Sequence, residues 1–128
     1  MWTIYHNPKC SKSREALALL QSHSSDVHVI EYLKDAPTVD ELKDLIRHLQ
    51  GPASALVRTK EDLYQELQFD LGSEEQIVTN LSQYPQLLER PIVIKSEVSP
   101  QHIARIAVVA RPVELILPLL QSESSSST

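Results

Sequence analysis

The chain has 128 residues, 41% of them hydrophobic and 23% charged, which suits one globular domain and leaves no room for two. With 17 acidic against 12 basic side chains the formal charge is −5, so a nonspecific nucleic-acid binder or a polybasic membrane anchor is not expected, and any anion site has to be local. Cys10 is the single cysteine, which excludes a disulfide scaffold or a cysteine-rich zinc module and fits a reducing cytoplasm; nowhere do about 18 apolar residues run together, so neither a signal peptide nor a membrane span is expected.

Trp2-Thr3-Ile4-Tyr5 is aromatic and β-branched and stops at His6-Asn7-Pro8, the pattern of a short strand feeding a loop. Over residues 11–21, Ser13, Ala16, Leu17 and Leu20 recur at spacings of three and four and predict one face of a helix, with Cys10 at its N-terminus. Residues 27–33 are β-rich, so strand, helix and strand form a βαβ unit with parallel strands and a right-handed crossover. Thr38 and Glu41 have the spacing of a capping box, Leu42, Leu45, Ile46 and Leu49 follow at helical spacing, and Gly51-Pro52 ends the run. Shorter helical pieces are expected at 53–57 and 62–67. A longer one starts at Ser73, with a box partner at Gln76, and runs through Ile77, Leu81 and Tyr84. Asp40-Glu41 and Glu74-Glu75 are read as helix N-terminal carboxylates rather than acid-base pairs.

Residues 90–95 and 103–109 predict a third and fourth strand joined as an antiparallel hairpin by the polar connection 96–102. Arg111-Pro112 is expected to open a last helix with proline in its first turn, and Pro118 to shorten or kink it. The domain therefore covers residues 1–120, with a helical insert at about 38–89, and residues 121–128 form a flexible serine-rich tail. His23, His28, His48 and His102 show no metal-ligand spacing and are read as structural or surface histidines, so no metal site is expected.

The chemistry centres on Cys10. A cysteine at a helix N-terminus faces unpaired backbone N–H groups and the positive end of the helix dipole. With Lys9, Lys12 and Arg14 close by, its pKa is expected to fall from about 8.5 into the range of about 3.5 to 7.5 seen for activated thiols. The segment Cys10-Ser11-Lys12-Ser13 is a Cys-x-x-Cys with a hydroxyl in place of its second thiol, so a resolving thiol has to come from another molecule.

Four motifs stand in order: Tyr5-His6-Asn7-Pro8-Lys9-Cys10-Ser11-Lys12-Ser13-Arg14, Ala55-Leu56-Val57-Arg58, Glu89-Arg90-Pro91-Ile92-Val93 and Arg111-Pro112. Over roughly residues 3–120 they resemble the glutaredoxin-coupled arsenate reductases. The Ser-Lys-Ser after Cys10 is closer to the chromosomal relatives of that family. The resemblance implies a thioredoxin-like α/β fold with a small mixed four-stranded sheet and a helical insert. It also implies a catalytic Cys10, oxyanion-binding arginines at Arg58, Arg90 and Arg111, a supporting His6 that tunes the thiol, a Ser13 hydroxyl that donates to it, and a cis peptide before Pro91. Guanidinium forks match the oxygens of a tetrahedral dianion and keep a nearby thiolate ionised, and the backbone of residues 11–14 adds further donors.

The implied reaction is arsenate reduction with no bound cofactor: glutathione is co-substrate and glutaredoxin the partner that resolves the mixed disulfide. Two alternatives stand beside it. One is a glutathione-dependent thiol redox protein acting on another oxyanion or on protein-glutathione disulfides. The other is a regulator of the Spx type that binds RNA polymerase, for which Ser13 lacks the second switch thiol. Twenty residues separate Arg90 from Arg111, more than the family pattern leads one to expect, so an extended hairpin near 95–102 is anticipated, with a possible shift of the third arginine.

Overall fold

The computed structural model describes residues 1–98, 100 and 103–120. Four strands, β1 (Trp2–His6), β2 (Val27–Glu31), β3 (Ile92–Val98) and β4 (Ile103–Val109), form one mixed sheet in the order β2-β1-β3-β4. β1 and β2 are parallel, and β3 pairs antiparallel with both β1 and β4. The helices are α1 (Ser11–His23), α2 (Val39–His48), α3 (Asp62–Leu67) and α4 (Glu74–Gln83), with 3-10 turns at Ala53–Leu56, Pro85–Leu87 and Val113–Ile116. This is the mixed α/β, thioredoxin-like arrangement expected, with α2 to α4 inserted between the βαβ unit and the hairpin.

Successive strand residues face opposite sides of a sheet, and here both sides are covered. Trp2, Ile4, Val93 and Val108 pack with Ala16 and Leu20 of α1 and with Ile116 and Leu119 of the C-terminal segment. Tyr5, Ile92 and Ala107 point the other way, into a second core with Leu42, Leu45, Leu56, Ile77 and Leu81. All of β1 is therefore buried, although only part of it is strictly apolar. The helix face read from Ser13, Ala16 and Leu20 is the buried face of α1.

Several local expectations hold and several are corrected. The Thr38–Glu41 capping box is complete: Glu41 N–H donates to Thr38 Oγ1 (3.1 Å) and Thr38 N–H to Glu41 Oε1 (3.0 Å). Only half of the second box forms. Gln76 N–H donates to Ser73 Oγ (3.2 Å), but Gln76 Oε1 accepts from Asp70 N–H (2.9 Å), because the preceding turn offers its own unpaired donor. β2 ends at Glu31, where the N–H groups of Lys34 and Asp35 both donate to the Glu31 carbonyl and turn the chain. β3 starts two residues later and runs further than expected, to Val98, pairing residue by residue with β4. The hairpin connection is shorter as a result.

Pro112 is not the first residue of a helix. It flanks the 3-10 turn Val113–Ile116 in an extended conformation, after a cis Arg111–Pro112 peptide, and residues 117–120 are helical despite Pro118. His102 and the tail at 121–128 lie outside the described residues. Among the described residues no helix is long and apolar enough to cross a membrane.

Candidate active site

Chain geometry places Cys10 where the sequence puts it. After β1 the loop folds back so that Cys10 N–H donates to Asn7 O (3.0 Å), and Cys10 O accepts from Arg14 N–H (3.0 Å) as the first turn of α1. Cys10 is the N-cap residue, in an extended conformation, so its Sγ stands at the N–H groups left open by the first turn of α1.

Burial pushes the Cys10 thiol up. The main-chain N–H of Ser13, the Arg90 charge, the N–H of Lys12 and a hydrogen bond from Arg90 outweigh it and hold the thiol below its ordinary value. The helix N-terminus thus acts as anticipated, but the cation that matters comes from far along the chain. Arg14 Nη1 donates instead to Pro8 O (2.9 Å), and Lys12 pairs with Glu15 on the exposed face of α1. Alkylation of Cys10 by iodoacetamide should follow this lowered pKa. Its rate should rise with pH through a midpoint below about 8.5 and then level off, and a midpoint at or above that value would contradict the assignment.

His6 and Ser13 form a buried pair beneath the loop, with His6 Nδ1 and Ser13 Oγ 2.6 Å apart and Asn7 N–H donating to the same Oγ (3.0 Å). The Ser13 hydroxyl is thus engaged with β1 and its loop, and the group facing the sulfur is the Ser13 main-chain N–H rather than the hydroxyl. Burial lowers the His6 pKa, Glu31 opposing and Arg14 assisting, so the ring is neutral at neutral pH. Its ring fixes Ser13, and through Ser13 the start of α1.

The three arginines arrive from separate segments and line one cavity of about 350 Å³, together with Val57, Thr59, Lys60 and Glu89. Arg58 and Arg90 are brought together by an isolated bridge between Val57 and Leu88, in which Arg58 N–H donates to Leu87 O (2.8 Å) and Glu89 N–H to Leu56 O (2.7 Å). Arg90 and Arg111 are coupled next to β3 and β4. The Arg90–Pro91 peptide is cis, Ala110 N–H donates to Pro91 O (2.9 Å), and Arg111 Nη1 donates to Arg90 O (3.3 Å). Arg111 is therefore not displaced by the longer hairpin.

Arg58 is paired with Glu61 (2.6 Å) and Arg111 with Glu89 (3.5 Å). Arg90 differs. Its side chain is only 14% exposed, and its buried Nε and Nη1 have no hydrogen-bond partner, although the Glu89 carboxylate lies 3.8 Å from Nη1. Leaving such donors unpaired costs about 1–3 kcal/mol each, a cost that an anion bound there would remove.

Cys10 is not on the cavity wall; Arg90 links it to the cavity, since the same guanidinium acts on Sγ. Tyr32 and Lys60 were not singled out from the sequence, and Glu89 entered only as the first residue of the Glu89-Arg90-Pro91 motif. Tyr32 is fully buried. Burial raises its pKa against the opposing charges of Arg90 and Arg58 and a hydrogen bond from Asn7, so it stays a protonated donor beside Cys10. Lys60 stands two residues from Arg58, and that adjacency is the only sequence signal it carries. A larger open groove of about 510 Å³, walled in part by Tyr5, Asp40, Glu41, Asp44 and Arg105, contains no thiol, and its Arg105 is paired with Asp44 (3.1 Å). Among the described residues no group of three or more His, Cys, Asp or Glu is clustered to hold a metal.

Residues 5–104 match the model of the ArsC family. The chain belongs to the ArsC family. Relatives include the arsenate reductase of Neisseria meningitidis serogroup A, 40% identical over 121 residues that span 91% of this chain and 96% of that protein. That of Haemophilus influenzae is 36% identical over 91% of this chain and 97% of its own. Among solved structures, the arsenate reductase from Vibrio cholerae superposes with a TM-score of 0.75 at 42% identity, covering 91% of this chain and 95% of that one. The ArsC match spans the Cys10, Arg58 and Arg90 segments and stops in β4, before Arg111.

Proposed function

We propose that this ArsC-family chain is an arsenate reductase in which Cys10 is the nucleophile and Arg58, Arg90 and Arg111 hold the oxyanion. The observation that carries the reading is the Arg90 guanidinium, which acts on the Cys10 sulfur while two of its buried nitrogens have no partner. Such a group is suited to receive an anion next to a nucleophile. Two like-charged reactants repel, and cations fixed in advance around the oxyanion remove that barrier without reorganisation.

In the proposed sequence the thiolate attacks arsenic, an S–As bond forms, and an arsenate oxygen leaves as water after taking up protons. Glutathione then supplies the second thiol. The two sulfurs give up the two electrons that arsenic gains, arsenite is released, and Cys10 is left in a mixed disulfide with glutathione. Glutaredoxin returns it to the thiol. An external reductant follows from the composition, because no second cysteine in the chain can close a disulfide. Oxidation of NADPH in the presence of glutathione, glutathione reductase and glutaredoxin should depend on arsenate. If arsenate has no effect while a glutathione mixed-disulfide substrate is turned over, the protein is a thiol-transfer enzyme instead.

A further inference from the structure

The wall of the arginine cavity carries one acidic residue, and the proposed reaction leaves it without a task. Glu89 is one-quarter exposed, and its Oε1 lies 3.5 Å from Arg111 Nη1 and 3.8 Å from Arg90 Nη1 while accepting the Arg90 N–H at 3.2 Å. Three contacts on one oxygen fix its position. An oxyanion that takes up Arg90 and Arg111 must therefore place one of its own oxygens beside this carboxylate.

The consequence depends on whether that oxygen carries a proton. A bare oxyanion oxygen next to a carboxylate oxygen is repelled, whereas a hydroxyl donates a charge-assisted hydrogen bond to it. Arsenate and phosphate keep at least one hydroxyl at neutral pH; sulfate keeps none. We propose that Glu89 is a specificity-determining residue of the cavity, accepting a hydrogen bond from the hydroxyl of a protonated tetrahedral oxyanion and rejecting sulfate. The assignment rests on the oxyanion-reductase reading and narrows it: the cavity selects the protonated class, and within that class the thiol selects arsenic, which it can reduce.

Calorimetric titration of the full chain with arsenate, phosphate and sulfate, in mildly alkaline buffer where all three are largely dianions, tests this. Wild-type protein should bind sulfate roughly 10- to 100-fold more weakly than arsenate or phosphate, the equivalent of one charge-assisted hydrogen bond. In Glu89→Gln, and in Glu89→Ala should the amide variant fold poorly, the sulfate gap should close to within a few-fold. An unchanged ratio in both variants overturns the assignment. So does a uniform gain for all three anions, which is what loss of one negative charge would give by itself. Wild-type protein that binds none of the three removes both this assignment and the reading beneath it. Discrimination that is present, and lost in Glu89→Gln, in a protein without arsenate-dependent turnover removes the reductase reading and leaves Glu89 in place.

Discussion

Cys10→Ser should lower arsenate-dependent turnover by on the order of a thousandfold or more while leaving the protein at least as stable as before. The first half follows from the chemistry of the nucleophile. The helix N-terminus and Arg90 lower the thiol pKa and so favour its ionised form, but a serine hydroxyl titrates far too high for the same groups to ionise it. The second half follows from geometry. Cys10 is the N-cap of α1 in an extended conformation, and serine, which is among the residues that cap best, can accept from the same Lys12 and Ser13 N–H groups that face the sulfur. Turnover in the coupled assay and the thermal midpoint should therefore move in opposite directions or the midpoint should stay level. Retained reduction of arsenate by the serine variant would remove Cys10 from the mechanism.

Arg90→Ala is expected to have the second-largest effect. It removes a cation acting on the Cys10 sulfur and the one arginine of the cavity whose buried nitrogens have no partner. Loss of one preorganised oxyanion donor costs about 10²- to 10³-fold in kcat. The alkylation midpoint of Cys10 should rise at the same time. Arg90→Lys separates the two roles: a point charge near the sulfur restores much of the thiol pKa, but an ammonium lacks the planar fork and should leave most of the catalytic loss in place. Melting temperatures should not fall in proportion, since the wild-type side chain holds uncompensated donors in the interior. Normal kcat/KM for arsenate in both variants would move the anion site elsewhere.

The elements of this fold were legible because most are set locally. Val27 to Glu31, Thr38 with Glu41, and Leu42 with Leu45 carry period and capping signals that tertiary packing reinforces. The errors fall where the partner lies outside the segment. β3 extends to Val98 because β4 pairs with it that far, and Gln76 turns to Asp70 because a neighbouring turn supplies a nearer donor. The site follows the same division. Cys10 at a helix start can be read from a dozen residues, whereas the source of its stabilising charge cannot. Lys9, Lys12 and Arg14 are close in sequence, yet Arg90, 80 positions away, is the charge that acts on the sulfur, because β3 pairs with β1 and brings the Arg90–Pro91 segment beside the loop. Ser13 shows the limit of residue type as a guide, since its hydroxyl belongs to His6 and Asn7 and its main chain serves the thiol.

The bridge between Val57 and Leu88 bears on how the family can vary in length. Arg58 N–H to Leu87 O and Glu89 N–H to Leu56 O tie the two arginine segments directly to each other, so their separation in space is independent of the thirty-odd residues that join them. Within that stretch α3 contributes no buried residue, and the closure cost of a loop changes only slowly with its length. A change of length around α3 is therefore expected to leave the arginine cavity in place. A single residue added between Leu56 and Arg58, or between Leu87 and Arg90, would shift the pairing by one and turn a guanidinium to the opposite side. In this architecture the distance along the chain between the arginine segments is free to drift, while the few residues on either side of the bridge are not.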